Sequence, residues 1–259
     1  MRSLSFLLSR RWILFLATVL LLSWVAWMLG QWQFHRLDDR QESNAIIERN
    51  AHAAPMPVAE VLSPEHPLDA ADEWTHVTAT GTYDVASTVV VRYRTRDGVA
   101  GVNVVVPLVP ASGPAVLVDR GWVATDNRGT TSADAVPDPP AGEVTVTGWV
   151  RVDAEGDSAR VADQSTRAIN SVNIAEALDL TAHQGFVVLD TEDPEPETPL
   201  AHSGLPEMGN GPHFFYGLQW WFFGLMAIGG FIWLTIDEVR GKKRPARPGR
   251  RRPPAQRVR

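Results

Sequence analysis

The chain has 259 residues, no cysteine and a formal net charge of −6. The lack of cysteine excludes disulfides, cysteine-ligated zinc, iron–sulfur clusters and thiol catalysis. The charge is unevenly spread: residues 1–11 carry +3, residues 31–213 carry 11 basic against 28 acidic side chains, and residues 237–259 carry 10 basic against 2 acidic side chains. The acidic central segment does not favour nucleic acid as a partner, because phosphate contacts need clustered cations.

Two uncharged apolar runs predict transmembrane helices. Residues 12–30 (WILFLATVLLLSWVAWMLG) would reach about 28 Å as a helix, and residues 214–236 would reach about 34 Å. Each length is close to or above the roughly 30 Å of hydrocarbon in a bilayer. The sequence therefore predicts two membrane crossings.

The first apolar run follows Ser9-Arg10-Arg11 and so resembles a twin-arginine signal. Its 19 residues exceed a usual signal core, however, and Trp27–Gly30 at its end is a poor cleavage site. We therefore expect an uncleaved anchor. No amphipathic transit peptide precedes the run, which argues against a mitochondrial protein.

Basic residues precede the first apolar run and follow the second. Arg10 and Arg11 precede the first run, and Arg240 and Lys242–Arg244 follow the second. Because cytoplasmic flanks are enriched in Lys and Arg, we expect both termini in the cytoplasm and residues 31–213 outside it. The chain contains 22 arginines and 2 lysines, a bias typical of GC-rich bacterial genomes, so we expect a bacterial cell membrane.

Composition suggests the remaining boundaries. Residues 1–11 form a cytoplasmic N-terminus, and residues 31–73 form a stalk, helical to about Ala53, with a proline-broken linker. Residues 191–213 form an acidic, proline-rich linker that we expect to be solvated. Residues 237–259 form a tail too rich in proline and arginine to bury a core. We expect this tail to be disordered and to lie against anionic lipid, with docking to a cytoplasmic partner as the alternative.

Residues 74–190 show β patterning. Short runs rich in β-branched residues, of which the first alternates, predict six short strands, and one short helix is expected. The predicted strands are Thr75–Tyr83, Thr88–Tyr93, Val102–Val109, Ala115–Val123, Glu143–Val152 and Gly185–Asp190, with the helix at Val172–Leu180. The predicted fold class is a membrane protein whose two transmembrane helices flank an extracytoplasmic, mainly antiparallel β domain, a small barrel or sandwich with one or two short helices.

The sequence shows no catalytic motif. The seven histidines do not occur at metal-site spacings, and G-x-S-x-G, H-E-x-x-H and phosphate-binding glycine loops are absent. We therefore expect a protein that is not an enzyme and has no histidine-built zinc or copper site. A tethered hydrolase is the alternative that an acid–base pair in the β domain would support.

His213 precedes the second apolar run, where an imidazole is partly desolvated and can ligate haem iron. The residues that share its helical face are Gly217, Trp220 or Trp221, and Gly224. The glycines would leave a shallow groove, and a tryptophan ring could stack against a flat macrocycle. Alternatively, the glycines only let two spans approach closely, and the aromatic residues only form an interfacial belt.

Three motifs occur in order along the chain. They are LGQWQFHR at Leu29–Arg36, VLVDRGWV at Val116–Val123 and PHFFYGLQWWFFG at Pro212–Gly224. Together with the two spans they resemble the surfeit locus protein 1 family of cytochrome c oxidase assembly factors, whose patterns are L-G-x-W-Q-x-x-R, V-L-V-N-R-G-W-V and H-x-x-Y-A-x-Q-W-F. Asp119 replaces the usual asparagine of the second pattern, and Gly217 replaces the usual alanine of the third.

The resemblance implies an assembly factor that assists haem a delivery to, or insertion into, subunit I of haem a-containing oxidases. It implies His213 as the haem-binding residue, haem a as a transient cofactor, and subunit I as a partner in the membrane, with the haem a synthase as a second candidate partner. Arg120-Gly121-Trp122 is expected to serve the fold or docking. The alternative function is a haem-free structural or accessory subunit of a respiratory oxidase complex.

Overall fold

A computed structural model of the chain describes residues 6–126 and 129–241. The chain divides into two compact units. We call residues 1–41 together with 209–259 the helical unit, and residues 42–208 the barrel unit. Most of the predicted basic tail lies outside the described residues.

Two long helices occur in the described residues of the helical unit. α1 runs Arg10–Ala51, with its end from Glu42 onward belonging to the barrel unit, and α3 runs His213–Gly241. Each contains a window apolar enough to cross a membrane, and only 17% and 6% of the residues in these windows are buried. The core helix of a soluble protein would be mostly buried, so these surfaces suit a lipid environment.

α1 is one continuous helix through the predicted span and the predicted helical stalk. The segment contains a single glycine, Gly30, and the first proline after it is Pro55, so nothing in the sequence breaks the helix earlier. At 1.5 Å per residue the helix is about 60 Å long, roughly twice the hydrocarbon thickness of a bilayer.

Aromatic side chains and small residues join α1 to α3. The ring centroids of Phe15 and Phe231 are 5.4 Å apart, and those of Phe34 and Trp221 are 4.8 Å apart. The Trp221 ring lies over Gly30, where an added Cβ would come within 2.3 Å of it. A side chain at position 30 would therefore prevent this close approach.

Eight strands form one sheet in the described part of the barrel unit. They are β1 (Met56–Pro57), β2 (His76–Tyr83), β3 (Val89–Arg96), β4 (Val99–Val109), β5 (Val116–Ala124), β6 (Glu143–Arg151), β7 (Ser165–Thr166) and β8 (Phe186–Asp193). The sheet order is β1-β2-β6-β8-β5-β4-β3-β7, and β2 also pairs with β4. This extra pairing closes β2, β6, β8, β5 and β4 into a five-stranded barrel.

The barrel is mainly antiparallel, as predicted. Four of its five strand pairs, β2 with β6, β6 with β8, β5 with β4 and β4 with β2, are antiparallel. The fifth, β5 with β8, is parallel. The short strands β1 and β7 add parallel pairs to β2 and β3. Closure decides between the two predicted architectures in favour of a barrel.

Two apolar clusters stabilise the barrel unit. The first fills the barrel and consists mainly of valines from the inward positions of the strands, including Val104, Val118 and Val146. The second lies outside the barrel and includes Leu117 of β5 and Ile174 of a short helix that follows β7. Strands with both faces covered read as continuous apolar runs rather than as strict alternation, which explains VNVVVPLV in β4.

The short helix α2 runs Ser171–Ala177 and packs Ile174 against the outer cluster. The Asn170 side chain caps its start by accepting a hydrogen bond from the Asn173 N–H at 2.9 Å. The helix ends three residues before the predicted boundary at Leu180, because Asp179 adopts a left-handed conformation with φ 54°.

The barrel begins earlier than the predicted boundary at residue 74. β1 pairs with β2, and Val58, Leu62 and Leu68 are buried in the barrel cluster. The prolines that suggested a linker suit a two-residue edge strand and turns, while the apolar side chains between them pack inward. This part of the predicted linker therefore belongs to the barrel unit.

The barrel also ends later than predicted, so the expectation of a solvated linker from residue 191 onward is wrong for its first part. β8 extends to Asp193, and Glu192 and Leu200 are buried. Ala201 exchanges backbone hydrogen bonds of 2.9 and 3.0 Å with Trp122 of β5. The acidic composition of this segment suggested a solvated linker rather than a strand. The segment can nevertheless form the end of β8, because the carboxylate of Glu192 is paired inside the barrel.

Candidate functional site

His213 is the first residue of α3 and is half-buried against α1 within the helical unit. Its ring Nδ1 lies 2.8 Å from the side-chain Oε1 of Gln33. Its Nε2 makes no hydrogen bond within the part of the chain that the structure describes. The histidine thus has one ring nitrogen held by the protein and one available to a ligand.

The glycines on the His213 face are used for helix packing. Gly217 and Gly224 are buried, and an added Cβ would lie 2.8 Å from the Phe34 ring at position 217 and 3.5 Å from the Ala26 Cβ at position 224. The expected open groove beside His213 is therefore filled by α1. Of the two interpretations of these glycines, close approach of the two helices is the one that the structure shows.

Neither tryptophan of the predicted wall stands free beside His213. Trp221 packs on Phe34 and over Gly30, and the Trp220 ring is 5.9 Å from the Phe223 ring. An apolar groove between α1 and α3 has a volume of about 260 Å³ and is lined by Ser23, Trp27, Trp221, Gly224, Leu225 and Ile228. This is below the roughly 300–1,000 Å³ of usual small-molecule pockets.

The packing role of Gly217 predicts a position-specific effect. Gly217→Leu should weaken the pairing of α1 with α3, because the new side chain must displace the Phe34 ring 2.8 Å away. Gly229→Leu in the same helix is the matched control, since nothing lies within 4 Å of an added Cβ there. Cysteine crosslinking between positions 26 and 224 in the full chain measures the pairing. Equal crosslinking in both variants would contradict the prediction.

The residues present fit a haem through a single axial nitrogen. A neutral imidazole with one free ring nitrogen is a common haem ligand. Beside His213 the exposed aromatic residues Phe214, Phe215 and Tyr216 offer an apolar surface. Among the described residues, no group of three or more His, Asp or Glu side chains is arranged to hold a metal ion directly.

The second motif lies in β5 at a β-bulge. The register of β5 with β4 shifts at Asp119–Gly121, so that Arg120 is the extra residue. The Arg120 side chain lies in the barrel interior, while Asp119 and Trp122 line a cleft outside it. The Trp122 Nε1 donates a 2.9 Å hydrogen bond to the backbone carbonyl of Arg94 in β3. The bulge thus allows neighbouring residues to serve the core and the surface.

Arg120 forms a buried ion pair. Its Nη2 donates to Glu192 Oε1 at 2.8 Å and its Nε to Oε2 at 3.3 Å, and both side chains are almost fully buried. The Tyr83 hydroxyl donates to Glu192 Oε2 at 2.9 Å, and the guanidinium carbon lies 5.4 Å from the centre of the Tyr83 ring. Burial, together with the nearby carboxylate, raises the pKa of Tyr83 above its usual value. The expectation that Arg120 serves the fold agrees with this geometry.

The barrel unit carries a cleft of about 630 Å³ on its outer surface. Asp119 is buried at this cleft and accepts hydrogen bonds from the Asn103 amide at 2.8 and 3.1 Å and from the Gly121 N–H at 3.2 Å. Burial raises the pKa of Asp119 above its ordinary value, against the opposing effects of these donors and of nearby arginines. The polar residues that line the cleft include Arg94, Arg96, Asn103, Asp119, Arg151 and Asp153.

The raised pKa of Asp119 predicts a pH-dependent stability. The folded state holds the Asp119 proton more tightly than the unfolded state, so this group's contribution to stability falls as pH rises from the unfolded pKa of 3.8 through the higher folded pKa. Asp119→Asn removes the titrating group, so its unfolding free energy should fall less than that of wild type between pH 4 and pH 7. Urea unfolding of the detergent-purified chain at pH 4 and pH 7 measures it. An equal change between pH 4 and pH 7 in wild type and variant would contradict the prediction.

A serine and an aspartate meet at the start of α2 in the described part of the barrel unit. Ser171 donates to Asp153 and accepts from the Gly185 N–H at 2.8 Å, which ties the start of α2 to the start of β8. In the described part of the chain no histidine joins this pair. His183 is buried, and burial lowers its pKa. Serine and aspartate thus form a structural anchor here.

Two residues of the sites escaped prediction from the sequence. Gln33 is part of the first motif and lies on the face of α1 that packs on α3, together with Gly30, Phe34 and Leu37. The sequence does contain a signal for Gln33. It is a polar residue three positions after a glycine, and it shares a helical face with apolar neighbours. Glu192 had no such signal, because an acidic residue in an acidic stretch is usually solvated.

The architecture defines a class of protein with a small β-barrel domain between two helices long and apolar enough to cross a membrane. The family model of the SURF1 family matches residues 20–225, and the chain belongs to this family. Similar proteins named uncharacterized SURF1-like protein occur in Mycobacterium bovis and Mycobacterium tuberculosis, at 29% identity over 252 residues, covering 94% of this chain and 90% of each relative. The resemblance carried by the three motifs is confirmed. The SURF1 family generally comprises cytochrome c oxidase assembly factors rather than catalysts.

Proposed function

We propose that this chain assists haem a delivery to, or insertion into, subunit I of cytochrome c oxidase, with His213 as the haem-binding residue. The observation that carries the proposal is the hydrogen bond of 2.8 Å between His213 and Gln33 at the start of an apolar helix. It leaves Nε2 of a half-buried imidazole without a hydrogen bond among the described residues. An imidazole in this state is suited to bind iron.

The chemistry of transfer accounts for a single protein ligand. Haem a supplies an iron centre within an apolar macrocycle, and the protein supplies binding and orientation. One histidine holds such a group less firmly than a closed pocket would, so that a partner protein can take it over. The exposed aromatic residues Phe214, Phe215 and Tyr216 provide an apolar surface beside the histidine. The chain then acts as a chaperone and not as an enzyme.

We assign partner recognition to the barrel unit. Its cleft of about 630 Å³ combines the aromatic side chains of Trp74 and Trp122 with the guanidiniums of Arg94 and Arg96. Aromatic residues and arginine are enriched where proteins bind each other. Subunit I is the proposed partner and the haem a synthase the second. Lipid surrounds the helices, and nucleic acid is not a proposed partner.

The proposed location is a bacterial cell membrane. The exposed apolar surfaces of α1 and α3 suit two membrane crossings. Arg10 and Arg11 before the first span and Arg240 after the second favour cytoplasmic termini by the positive-inside rule. The barrel unit, which carries most of the negative charge, then lies outside the cytoplasm.

Complementation of a deletion strain tests the proposal. The deletion should lower haem a absorbance in membranes per oxidase polypeptide, and wild type should restore it. His213→Ala should leave haem a at the level of the deletion strain, because no iron ligand remains at this position. His35→Ala, at an exposed histidine of α1, is the matched control and should restore haem a fully. Full restoration by His213→Ala, or normal haem a in the deletion strain, would contradict the proposal.

A haem-free structural subunit is the second candidate function. The observation that favours it is the use of Gly217, Gly224 and Trp221 for helix packing, which leaves a small groove in place of a macrocycle site. This candidate requires the chain to copurify with the oxidase at equal stoichiometry and His213→Ala to be silent. Quantitative mass spectrometry of the purified oxidase distinguishes the two functions.

A further inference from the structure

Gln33 and His213 meet although 180 residues separate them in the sequence. Gln33 lies on α1 and His213 is the first residue of α3, and both side chains are half-buried. The neighbouring contact of Phe34 with Gly217 fixes the two helices at the same level. The glutamine therefore reaches the imidazole from a helix and not from a loop.

The Gln33 atom that faces His213 Nδ1 determines which nitrogen of the imidazole ring carries the proton. An amide oxygen has lone pairs and no proton, so it only accepts hydrogen bonds. The Nδ1 that faces Gln33 Oε1 at 2.8 Å must then carry the proton and donate it. In a neutral imidazole the other nitrogen, Nε2, then bears the lone pair. The reverse orientation of the amide would put its NH₂ group on Nδ1 and the imidazole proton on Nε2.

We propose that Gln33 is a positioning residue that holds His213 in the Nδ1–H tautomer and thereby presents the Nε2 lone pair to an incoming haem. The haem part of this inference rests on the proposed function, while the tautomer is a property of the chain alone. Histidines that bind metals usually donate their other ring N–H to an oxygen acceptor, which fixes the tautomer and the ring orientation. Gln33 is such an acceptor for His213.

The chain offers a matched control in the same motif. Gln31 is also a half-buried glutamine of α1, two positions before Gln33, and no hydrogen bond of its side chain occurs in the described residues. Two residues correspond to about 200° around a helix, so the two side chains point to different sides. Gln33→Glu is the conservative variant, because a carboxylate also accepts from Nδ1–H.

Nitrogen NMR of the haem-free full chain in detergent tests the tautomer directly. The protein is labelled with ¹⁵N-histidine and measured at pH 8.5, where an ordinary imidazole is neutral. The signal of His213 is assigned as the one that is missing from the spectrum of His213→Ala. We expect the proton on Nδ1 in wild type, in Gln31→Ala and in Gln33→Glu. Gln33→Ala should lose this preference. A proton on Nε2 in wild type, or an unchanged tautomer in Gln33→Ala, overturns the inference whatever the protein binds.

Haem retention tests the consequence. Gln33→Ala should bind haem a about 10- to 100-fold more weakly than wild type, as is usual when the hydrogen-bond partner of a metal-binding histidine is removed. Gln31→Ala should match wild type, and Gln33→Glu should retain haem with a lower midpoint potential, because the carboxylate makes the imidazole more electron-rich. Equal retention by Gln33→Ala and wild type overturns the inference and leaves the proposed function standing. If wild type binds no haem, the proposed function is overturned. The NMR measurement of the His213 tautomer in the haem-free chain then decides whether the inference about Gln33 holds.

Discussion

Arg120→Ala is expected to destabilise the chain by about 3–5 kcal/mol. The substitution leaves the Glu192 carboxylate buried without the guanidinium that donates to both of its oxygens. The Tyr83 hydroxyl remains its one described donor. A single neutral donor does not replace two charge-assisted hydrogen bonds in a site with little solvent.

A double variant separates loss of the pair from loss of packing. Arg120→Met with Glu192→Leu removes both charges and keeps apolar volume, so it should be more stable than Arg120→Ala. Its remaining cost relative to wild type is that of the buried Tyr83 hydroxyl, which loses its acceptor. Urea unfolding of the detergent-purified chain, followed by the near-ultraviolet signal of the barrel tryptophans, measures all three proteins. Equal destabilisation of the single and the double variant would contradict the interpretation that the stranded carboxylate is the cause.

Gly121→Ala is expected to destabilise the barrel by roughly 3 kcal/mol or more, because two effects add. Gly121 has φ +132°, a conformation that residues with a Cβ rarely adopt. An added Cβ would also lie 2.9 Å from the backbone carbonyl oxygen of Ala201, which is held in place by its pairing with Trp122. A backbone atom cannot move aside as the end of a flexible side chain can.

Gly142→Ala is the control that isolates the close contact. Gly142 also has a positive φ, of +87°, but nothing lies within 4 Å of an added Cβ. This variant should carry only the conformational penalty of about 1–2 kcal/mol. Unfolding free energies of both variants, measured under the same conditions, give the difference. If Gly142→Ala were as destabilising as Gly121→Ala, the contact with Ala201 would not be the reason for glycine in the motif.

Local patterns were enough to predict the elements of the barrel. Thr75–Tyr83 alternates from Val77 onward and Glu143–Val152 alternates over its first half, and the structure places β2 and β6 within one residue of each prediction. An alternating pattern arises because one face of a strand is buried and the other is not. Such a pattern therefore predicts where a strand lies in the sequence. It could not choose between a barrel and a sandwich, because closure depends on the pairing of β2 with β4, which lies beyond any local window.

The boundaries failed where a local signal and a tertiary contact disagreed. Pro57 and Pro64 suggested a linker, yet Val58 and Leu62 between them are buried in the barrel cluster. Glu192 suggested solvent, yet its pairing with an arginine 72 residues away in sequence places it in the core. In both cases the composition of a short segment was outweighed by contacts distant in sequence.

The sequence predicts His213 as the candidate site, but it does not predict the surroundings of this residue. His213 was recognised by its position before an apolar run and by the third motif. The helical face that it shares with Gly217 and Gly224 was also foreseen, but whether that face is open or covered depends on α1. Gln33 could be connected to His213 only once the two helices were placed side by side.

The visible spectrum of the full chain, purified in detergent after co-expression with haem a synthesis, tests the central claim most directly. The account predicts a haem a band in wild type and its loss in His213→Ala, with the band retained in His35→Ala. A band of equal strength in wild type and His213→Ala, or no band in either, would contradict His213 as the haem-binding residue. The second result would favour the haem-free structural role.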